Sequence, residues 1–189
     1  MTDAASYTLF DTAIGRCGIA WRGGDVVAFA LPADDDSATA AHLLRRWPSA
    51  EPAAPIASIA SAIGAVQRLL AGEQADLSSI PVELSGVPAF ERKVYESLRG
   101  VGPGETLTYG ELAARAGAPG AARAVGAAMG RNPVPVIIPC HRVLAGSGGS
   151  GGFSAPGGVS TKFRLLQIEQ ARRTGAPTLF DHLPLAVKN

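Results

Sequence analysis

The sequence predicts an α+β protein that joins a small N-terminal α/β domain to a mostly helical C-terminal domain with a helix-turn-helix. Three observations predict this class: short strand-like runs open the chain, helical periodicity dominates its second half, and a Ser-Gly-Val-Pro segment separates the two. The chain has 189 residues, of which 47% are apolar and 17% charged. It can therefore bury a core, and it lacks the composition of a disordered protein.

The first half has the pattern of a strand meander followed by helices, and we assign residues 1–84 to one domain. Three runs are typical of β-strands separated by short turns: Tyr7–Phe10, Ile14–Trp21 and Val26–Ala30. Two segments have helical character, Ala38–Trp47 and Ile56–Leu70, the second with apolar residues at helical spacing. A return to the sheet is expected at Val82–Leu84, and residues 85–88 form the linker.

The second domain, residues 89–173, is predicted to be mainly helical. A helix with an apolar face at Phe90, Val94 and Leu98 ends near Gly100. Residues 108–111, Thr-Tyr-Gly-Glu, match a capping box that opens a short helix ending near Gly117. A glycine-containing turn then leads to a helix over 121–130, which completes a helix-turn-helix. A last helix is expected over 161–173, followed by a tail over 174–189.

The charge of the chain is distributed unevenly between its halves. The formal net charge is only +1, but residues 1–88 carry five Lys/Arg against ten Asp/Glu, whereas residues 89–173 carry eleven against five. The net charge of the whole chain argues against a protein that coats nucleic acid. The excess of basic residues in the second half instead indicates an anionic partner for that half.

The two cysteines, Cys17 and Cys140, cannot form a disulfide framework, and neither lies in a C-x-x-C pair. The N-terminal residues lack the pattern of a signal peptide, and no apolar run reaches the length of a membrane span. We therefore expect reduced thiols, a cytoplasmic location and no membrane partner. Cys17 and His42 are too few ligands for a metal site in the first half, and we expect neither a metal nor a cofactor.

The segment Pro133–Val143 is the richest in chemical groups. We expect a rigid, proline-punctuated strand that brings together Cys140, His141 and Arg142, where cationic neighbours would lower the thiol pKa. Neighbouring side chains rarely face each other, so a water between thiol and imidazole, with a carboxylate orienting the imidazole, is the expected geometry. A buried, inert Cys140 is the alternative.

The predicted helix over 121–130 consists almost entirely of alanine and glycine, with Arg123 as its one long polar side chain before residue 131. Such a helix offers no set of side chains that could read base edges in the major groove. It can bring its backbone close to DNA while Arg123 enters a groove or the base stack. The alternative is a helix of small residues that packs tightly against its neighbours, with Arg123 solvated.

These motifs together resemble the signature of the O6-alkylguanine-DNA alkyltransferases, also called methylated-DNA–protein-cysteine methyltransferases. The resemblance covers roughly residues 88–170. The central matching segments are Arg123–Gly126, Met129, Asn132–Pro135 and Ile138–Val143. Flanking matches are Gly104-Glu105, Thr108-Tyr109, Leu112-Ala113, Gly152–Ser154, Lys162 and Leu165–Glu169.

The resemblance implies a role for each matching residue. Cys140 would accept the alkyl group after activation through a water by His141, which Glu169 would orient. Tyr109 would support the departure of guanine, and Arg123 would fill the base stack after the damaged nucleotide flips out. Asn132 would brace the helix-turn-helix against the active-site strand. The remaining substrate contacts would come from Val143, Phe153, Ser154 and Lys162, with the backbone of Cys140, Val143 and Ser154 reading the guanine edge.

The resemblance also implies an RNase H-like first domain and a winged helix-turn-helix in the second. The expected activity is direct-reversal DNA repair without a cofactor, in which each molecule acts once because an S-alkyl cysteine has no facile route of release. The partner would be double-stranded DNA carrying O6-alkylguanine, with O4-alkylthymine as a second candidate substrate. We expect a monomer, and cooperative binding on DNA is left open.

Two features depart from the family pattern: Phe153 stands where tyrosine is frequent, and Ala155-Pro156 lengthen the loop over the pocket. Two other functions compete with alkyl transfer. A non-enzymatic DNA-lesion binder would lack the cysteine, which is present here. A cysteine hydrolase would need a tight Cys/His pair and an oxyanion site, and it would leave the Arg123 helix unexplained.

Overall fold

A computed structural model describes residues 4–146 and 149–171 of the chain. The predicted continuation of the last helix to Arg173 and the predicted tail over 174–189 lie outside the described residues, as do residues 147 and 148 of the glycine-rich stretch. The described part is a mixed α+β structure with six helices and two small sheets.

The first half contains a four-stranded sheet. Its first three strands form the predicted antiparallel meander: β1 (Ser6–Thr12), β2 (Gly15–Arg22) and β3 (Asp25–Ala30). A two-residue strand that was not predicted, β4 (Glu51–Pro52), pairs in parallel with β1, and the strand order is β3-β2-β1-β4. The predicted strand at Val82–Leu84 is reduced to a single parallel bridge between Val82 and Val26.

Two helices cover opposite faces of this sheet: α1 (Asp36–Leu44) and α2 (Ala57–Leu70). Cys17 and Ile19 belong to the same hydrophobic cluster as the buried side chains of α2, whereas Ala20 packs with Leu43 of α1. Side chains alternate between the faces of a strand, so both faces of β2 are buried. Gly18 allows α1 to lie close, because a Cβ there would be 2.8 Å from Leu43 Cδ1.

The boundaries of α1 differ from the prediction. Asp35 caps the helix by accepting a hydrogen bond from the Ala38 backbone N–H at 2.7 Å, so the helix starts earlier. The helix ends at Leu44. Pro48 follows, and a proline disfavours helical backbone conformation in the residue before it. By contrast, α2 ends at Leu70 as predicted.

The second half has the predicted succession of helices. These are α3 (Ala89–Arg99), α4 (Tyr109–Arg115) and α5 (Ala122–Gly130). The capping box is present: Thr108 Oγ1 accepts from the Glu111 N–H at 3.1 Å, and the Glu111 carboxylate accepts from the Thr108 N–H at 2.6 Å. Gly117 and Gly120 take positive φ in the turn between α4 and α5, a conformation that favours glycine.

Two further elements complete the second half. A two-stranded parallel sheet pairs β5 (Leu107–Thr108) with β6 (Val143–Leu144). The last described helix, α6 (Gly158–Ile168), begins three residues before the prediction, because Gly157 takes a left-handed conformation. None of the described helices is long and apolar enough to cross a bilayer.

One hydrophobic cluster runs through both halves of the chain. It contains Phe10 and Val66 from the first half together with Val94, Val125 and Ile138 from the second. The backbone N–H of Phe29 also donates to the carbonyl of Pro133 at 3.0 Å, which joins β3 to the segment before Cys140. The cysteine segment therefore rests on the first half of the chain.

Candidate active site

Cys140 lies on a one-turn 3₁₀ helix, Cys140–Arg142, and not at the end of the strand that the prolines predict. The segment before it folds into a tight turn, in which the Ile138 N–H donates to the Val134 carbonyl at 2.8 Å. Val136 takes φ +74°, which is unfavourable for a β-branched residue and persists only where the surroundings impose it. This turn, and not an extended strand, orients the thiol.

Asn132 holds this turn from within. Its Nδ2 donates to the carbonyl of Ile138 at 2.8 Å, and its Oδ1 accepts from the N–H of Val134 at 3.0 Å. The same side chain forms a hydrogen bond with the Cys140 thiol that lowers the thiol pKa. Asn132 follows directly after α5, so it connects the end of that helix to the turn that carries the cysteine.

Cys140 is 7% exposed, and burial raises the pKa of its thiol above the ordinary value. The hydrogen bond from Asn132, the charge of Lys162 and the backbone N–H groups of the turn act in the opposite direction. The prediction that adjacent cations leave the thiol with a low pKa is thus wrong in its net direction. The nearby cation is Lys162 on α6, since Arg142 points away from the thiol.

His141, Arg142 and Glu169 form a buried cluster behind the cysteine. His141 Nε2 lies 2.9 Å from Glu169 Oε1. Arg142 donates to both oxygens of the same carboxylate, from Nε at 2.9 Å and from Nη2 at 2.8 Å, and also to the Val101 carbonyl. Burial alone would raise the pKa of Glu169, but His141 and Arg142 lower it to about 2. The carboxylate is therefore ionised at neutral pH.

His141 is fully buried, and burial lowers the pKa of its imidazole although the Glu169 carboxylate acts in the opposite direction. The neutral ring donates from Nε2 to Glu169, which leaves Nδ1 as an acceptor. Within the described part of the chain, Nδ1 has no hydrogen-bond partner. The imidazole is thus fixed in one orientation with a free proton acceptor, and it makes no direct hydrogen bond with the thiol.

Lys162, which is expected among the substrate contacts, is bound within the protein. Its side chain is fully buried, and Nζ donates to the carbonyls of Val143 at 2.5 Å and Gly152 at 3.4 Å. Burial lowers the pKa of Lys162 to about 8, although the negative charge of the Cys140 thiolate raises it. Lys162 cannot reach a DNA phosphate from this position. It joins the cysteine turn to the loop over the pocket and places a positive charge near the thiol.

Cys140 also lines a cavity of about 730 Å³, which we call the base cavity. Tyr109 and Gly110 from the start of α4, Arg123 and Gly126 from α5, and Gly152–Ser154 contribute to its wall. The structure thus brings Tyr109, Arg123, Phe153 and Ser154 together around the thiol. Val143 lines no part of this wall: its side chain is buried and its carbonyl is bound by Lys162.

Tyr109 and Arg123 have different surroundings in this cavity. Burial raises the pKa of Tyr109, and the charge of Cys140 adds to this, so the phenol keeps its proton at neutral pH. Its hydroxyl lies 3.5 Å from the Gly152 carbonyl, at the limit of a hydrogen bond. The Arg123 side chain is exposed. Tyr109 therefore keeps its phenolic proton in the wall that it shares with Cys140, and Arg123 contributes an exposed cation to the same wall.

Two contacts anchor α5 from behind. The buried Tyr95 hydroxyl of α3 donates to the Ala128 carbonyl at 2.7 Å, and Arg131 donates to Glu91 at 2.8 Å. Ser154, on the loop over the cavity, donates to the Gly130 carbonyl at 3.2 Å. The helix that carries Arg123 is thus held at its C-terminal end while its N-terminal end faces solvent.

Sequence reasoning missed the role of Arg142. It treats this arginine as a cationic neighbour of the thiol, whereas the guanidinium binds the Glu169 carboxylate on the side away from the cavity. No local signal shows this, because the one-turn 3₁₀ helix that directs the three consecutive side chains apart is seen only in the structure. No group of three or more His, Cys, Asp or Glu in the described ranges, 4–146 and 149–171, could hold a metal ion.

Comparisons with known proteins give a consistent result. A family model described as the DNA-binding domain of 6-O-methylguanine DNA methyltransferase matches residues 89–171. The methylated-DNA–protein-cysteine methyltransferase of Mycobacterium bovis is 45% identical over 120 residues, which covers 62% of this chain and 71% of the relative. The protein of that name from Salmonella typhimurium is 44% identical over 99 residues, or 52% of this chain and 56% of the relative.

Solved structures extend the similarity to the first half of the chain. The Mycobacterium tuberculosis OGT, crystallised in complex with DNA, superposes with a TM-score of 0.71 at 33% identity, covering 93% of this chain and 99% of that one. The O6-methylguanine-DNA methyltransferase of the archaeon Pyrococcus kodakaraensis gives a TM-score of 0.64 at 31% identity, covering 87% and 98%. On these matches and the arrangement around Cys140, the chain belongs to the methylated-DNA–protein-cysteine methyltransferase family.

Proposed function

We propose that this protein repairs DNA by direct reversal, moving the alkyl group of O6-alkylguanine in duplex DNA to its own Cys140. One observation carries the proposal: in a chain of this family, Cys140 lies in the wall of a cavity large enough for a base and has the buried His141–Glu169 pair behind it. Relatives named as methylated-DNA–protein-cysteine methyltransferases, and one crystallised with DNA, support the same activity and partner.

The residues around the cavity supply the proton transfers of the reaction. The thiol of Cys140 loses its proton, through a water, to Nδ1 of His141, while Nε2 donates to the ionised Glu169. The thiolate then attacks the alkyl carbon, an S–C bond forms, and the bond between carbon and O6 breaks with its electron pair passing to the base. The base takes up one proton, which Tyr109 donates, and guanine is restored; His141 then gives up the thiol proton to solvent, and the Tyr109 phenolate regains a proton from solvent.

The product explains why each molecule would act once. An acyl-enzyme intermediate can be hydrolysed, whereas an S-alkyl cysteine is an unactivated thioether. Nothing in the proposed chemistry regenerates the thiol, so the protein is consumed stoichiometrically. The raised pKa of Cys140 fits this reaction, because the thiol stays protonated and unreactive until a base and the His141 acceptor are both in place.

We propose that Arg123 occupies the base stack when the damaged nucleotide is flipped into the base cavity. The small residues of α5 let its backbone approach the minor or major groove without reading sequence. Flipping costs a few kcal/mol, least for a lesion that pairs poorly, which contributes to selectivity. Other exposed cations in the described second half are available for phosphates, namely Arg92, Lys93, Arg115 and Arg164. Modest, salt-dependent affinity for undamaged DNA is the expected result.

The proposal includes a division of labour along the chain. Residues 89–173 would form the DNA-binding and transfer domain, with α4 and α5 as the helices of a winged helix-turn-helix. Residues 1–84, joined to it by the linker 85–88, would form an RNase H-like scaffold whose acidic side chains face away from DNA. We propose that the protein acts as a monomer, and that Ser154 and the carbonyls of the cysteine turn contact the guanine edge.

The decisive experiment is incubation with duplex DNA that carries O6-methylguanine, followed by peptide mass analysis. We expect one methyl group per molecule, on Cys140, and none in Cys140→Ala. Cys17→Ala is the matched control and should still be methylated, because Cys17 is buried in the first half with no access to the base cavity. Tight lesion binding with an unmodified Cys140 would instead establish a lesion-binding protein.

A further inference from the structure

Cys140 also lines a second cavity, which the transfer of a methyl group does not require. This cavity has a volume of about 350 Å³, and we call it the rear cavity. Besides Cys140, four residues line both cavities and separate them: Met129, Gly130, Phe153 and Ser154. Cys140 thus lies in a wall shared by two cavities, of which the base cavity alone has Tyr109 and Arg123.

The rear cavity is built mainly by residues outside the alkyl-transfer machinery. The first half contributes the end of strand β3 and the residue after it, from Ala28 to Leu31. One side is formed by Ala155 and Pro156, the two residues by which this chain lengthens the family loop, and Phe153 is the second departure from the family pattern. The features that distinguish this chain from the family pattern therefore meet at the rear cavity.

Part of the lining of this cavity carries positive charge. Arg45 and Arg46 line it just after the last residue of α1, and His42 lies one turn earlier. Burial and the charge of Arg45 lower the pKa of His42, so the imidazole is neutral at pH 7 and the charge comes from the two arginines. No acidic side chain is among the described residues that line the rear cavity.

The geometry of nucleophilic displacement at the alkyl carbon indicates which part of a substrate the rear cavity would receive. The attacking sulfur, the alkyl carbon and the departing O6 lie on one line, so any substituent on that carbon points sideways from the line. With the base in the base cavity, a substituent longer than a methyl group needs separate room beside the sulfur. The rear cavity supplies such space, because Cys140 lines it as well.

We propose that the rear cavity receives the distal part of alkyl groups longer than methyl, and that its arginines favour chains ending in an anion such as a carboxylate. This inference rests on the proposed function and names a substrate class for the same site. The reaction is otherwise unchanged: sulfur binds the first carbon, O6 departs with the electron pair, and the carboxylate takes no part in bond making.

The test compares acids with their neutral counterparts in one duplex sequence. Guanines with O6-carboxymethyl, O6-carboxypropyl and O6-carboxypentyl groups are each paired with the primary amide of the same length, and O6-methylguanine is the reference. We expect the full-length protein to transfer the longer acids about fivefold faster than the amides at low salt, with the preference falling as salt rises. The shortest pair should differ least, because its carboxyl group stays near the sulfur.

Three variants locate the effect. Arg45→Gln combined with Arg46→Gln should abolish the acid preference, whereas Arg68→Gln, an exposed arginine on α2, should keep it. Ala155→Phe, which fills the rear cavity from the loop, should slow transfer of the longer groups of both kinds relative to methyl. Ala155 does not line the base cavity, so the methyl reference reports any damage to the common site.

The outcomes separate this inference from the function on which it rests. If O6-methylguanine leaves Cys140 unmodified, the proposed function is wrong and this inference falls with it. If methyl is transferred but acids and amides react equally at every length, only the rear-cavity proposal is overturned. Equal losses for methyl and carboxyalkyl substrates in the double arginine variant would also overturn it, since the arginines would then act on DNA.

Discussion

Glu169 gives the sharpest test of how the site is held together, because its one carboxylate binds both the His141 imidazole and the Arg142 guanidinium. The prediction is that Glu169→Gln destabilises the protein at neutral pH, and that this difference fades in acid. The Glu169 pKa is 4.5 before folding and about 2 in the folded protein. That change corresponds to about 3 kcal/mol of stabilisation at pH 7. The magnitude agrees with the cost of breaking a buried ion pair, about 3–5 kcal/mol.

The sign of the pH dependence follows from the lowered pKa. The stabilisation is complete above the pKa of the unfolded chain, and it is lost as the pH falls towards 2, where the folded protein also takes up the proton. About 2 kcal/mol should disappear between roughly pH 5 and pH 3. Glutamine has no charge to lose, so the free energies of unfolding of the wild type and the variant should converge across this interval.

Urea denaturation at a series of pH values measures this difference directly. Glu105→Gln is the matched control, because Glu105 is an exposed carboxylate that accepts a hydrogen bond from the Gly102 N–H in the same region. Its difference from wild type should be small at every pH. A Glu169→Gln difference that stays constant from pH 7 to pH 3 would refute the reasoning, since it would mean that the charge of the carboxylate contributes nothing.

Three further variants test the residues around the base cavity. Arg123→Ala should slow transfer from duplex DNA about tenfold or more while leaving the reaction with free O6-benzylguanine nearly unchanged; equal losses on both substrates would exclude a role in the base stack. Tyr109→Phe should slow transfer about a hundredfold without lowering the melting temperature, because its hydroxyl makes only one marginal contact; an unchanged rate would exclude proton donation. Lys162→Met should shift the pH midpoint of Cys140 alkylation by iodoacetamide upwards, because it removes the cation that lowers the thiol pKa; an unmoved midpoint would show that this charge does not act on the thiol.

Most elements of the fold could be predicted from the sequence, because their signals are local. The β-type runs of β1–β3, the apolar spacing of α2 and the capping box of α4 each lie within one short segment, and the structure confirms all three. The two-residue strand β4 could not be predicted, since a pair of residues has no periodicity and exists as a strand only because β1 lies beside it.

The residues of the site could be predicted from the sequence, but only some of their contacts could. The sequence brings Cys140, His141 and Arg142 together by adjacency, and the resemblance adds Glu169, which the structure indeed places against His141. It could not show that Arg142 shares this carboxylate, or that Lys162 is buried and bound to the Val143 carbonyl. Burial and the direction of a side chain depend on which elements pack together, and such contacts join residues distant in the chain.

The sequence by itself determined the reactive group, the order of the elements and the uneven charge of the two halves, because these depend on residue identity and local spacing. The tertiary structure decided the chemical state of the thiol. Burial raises the pKa of Cys140 against the effect of nearby groups, and that balance depends on the distances and dielectric of a packed interior. It also decided that Cys140 borders two cavities, because the second is enclosed only where β3 and α1 of the first half meet the loop after Gly152.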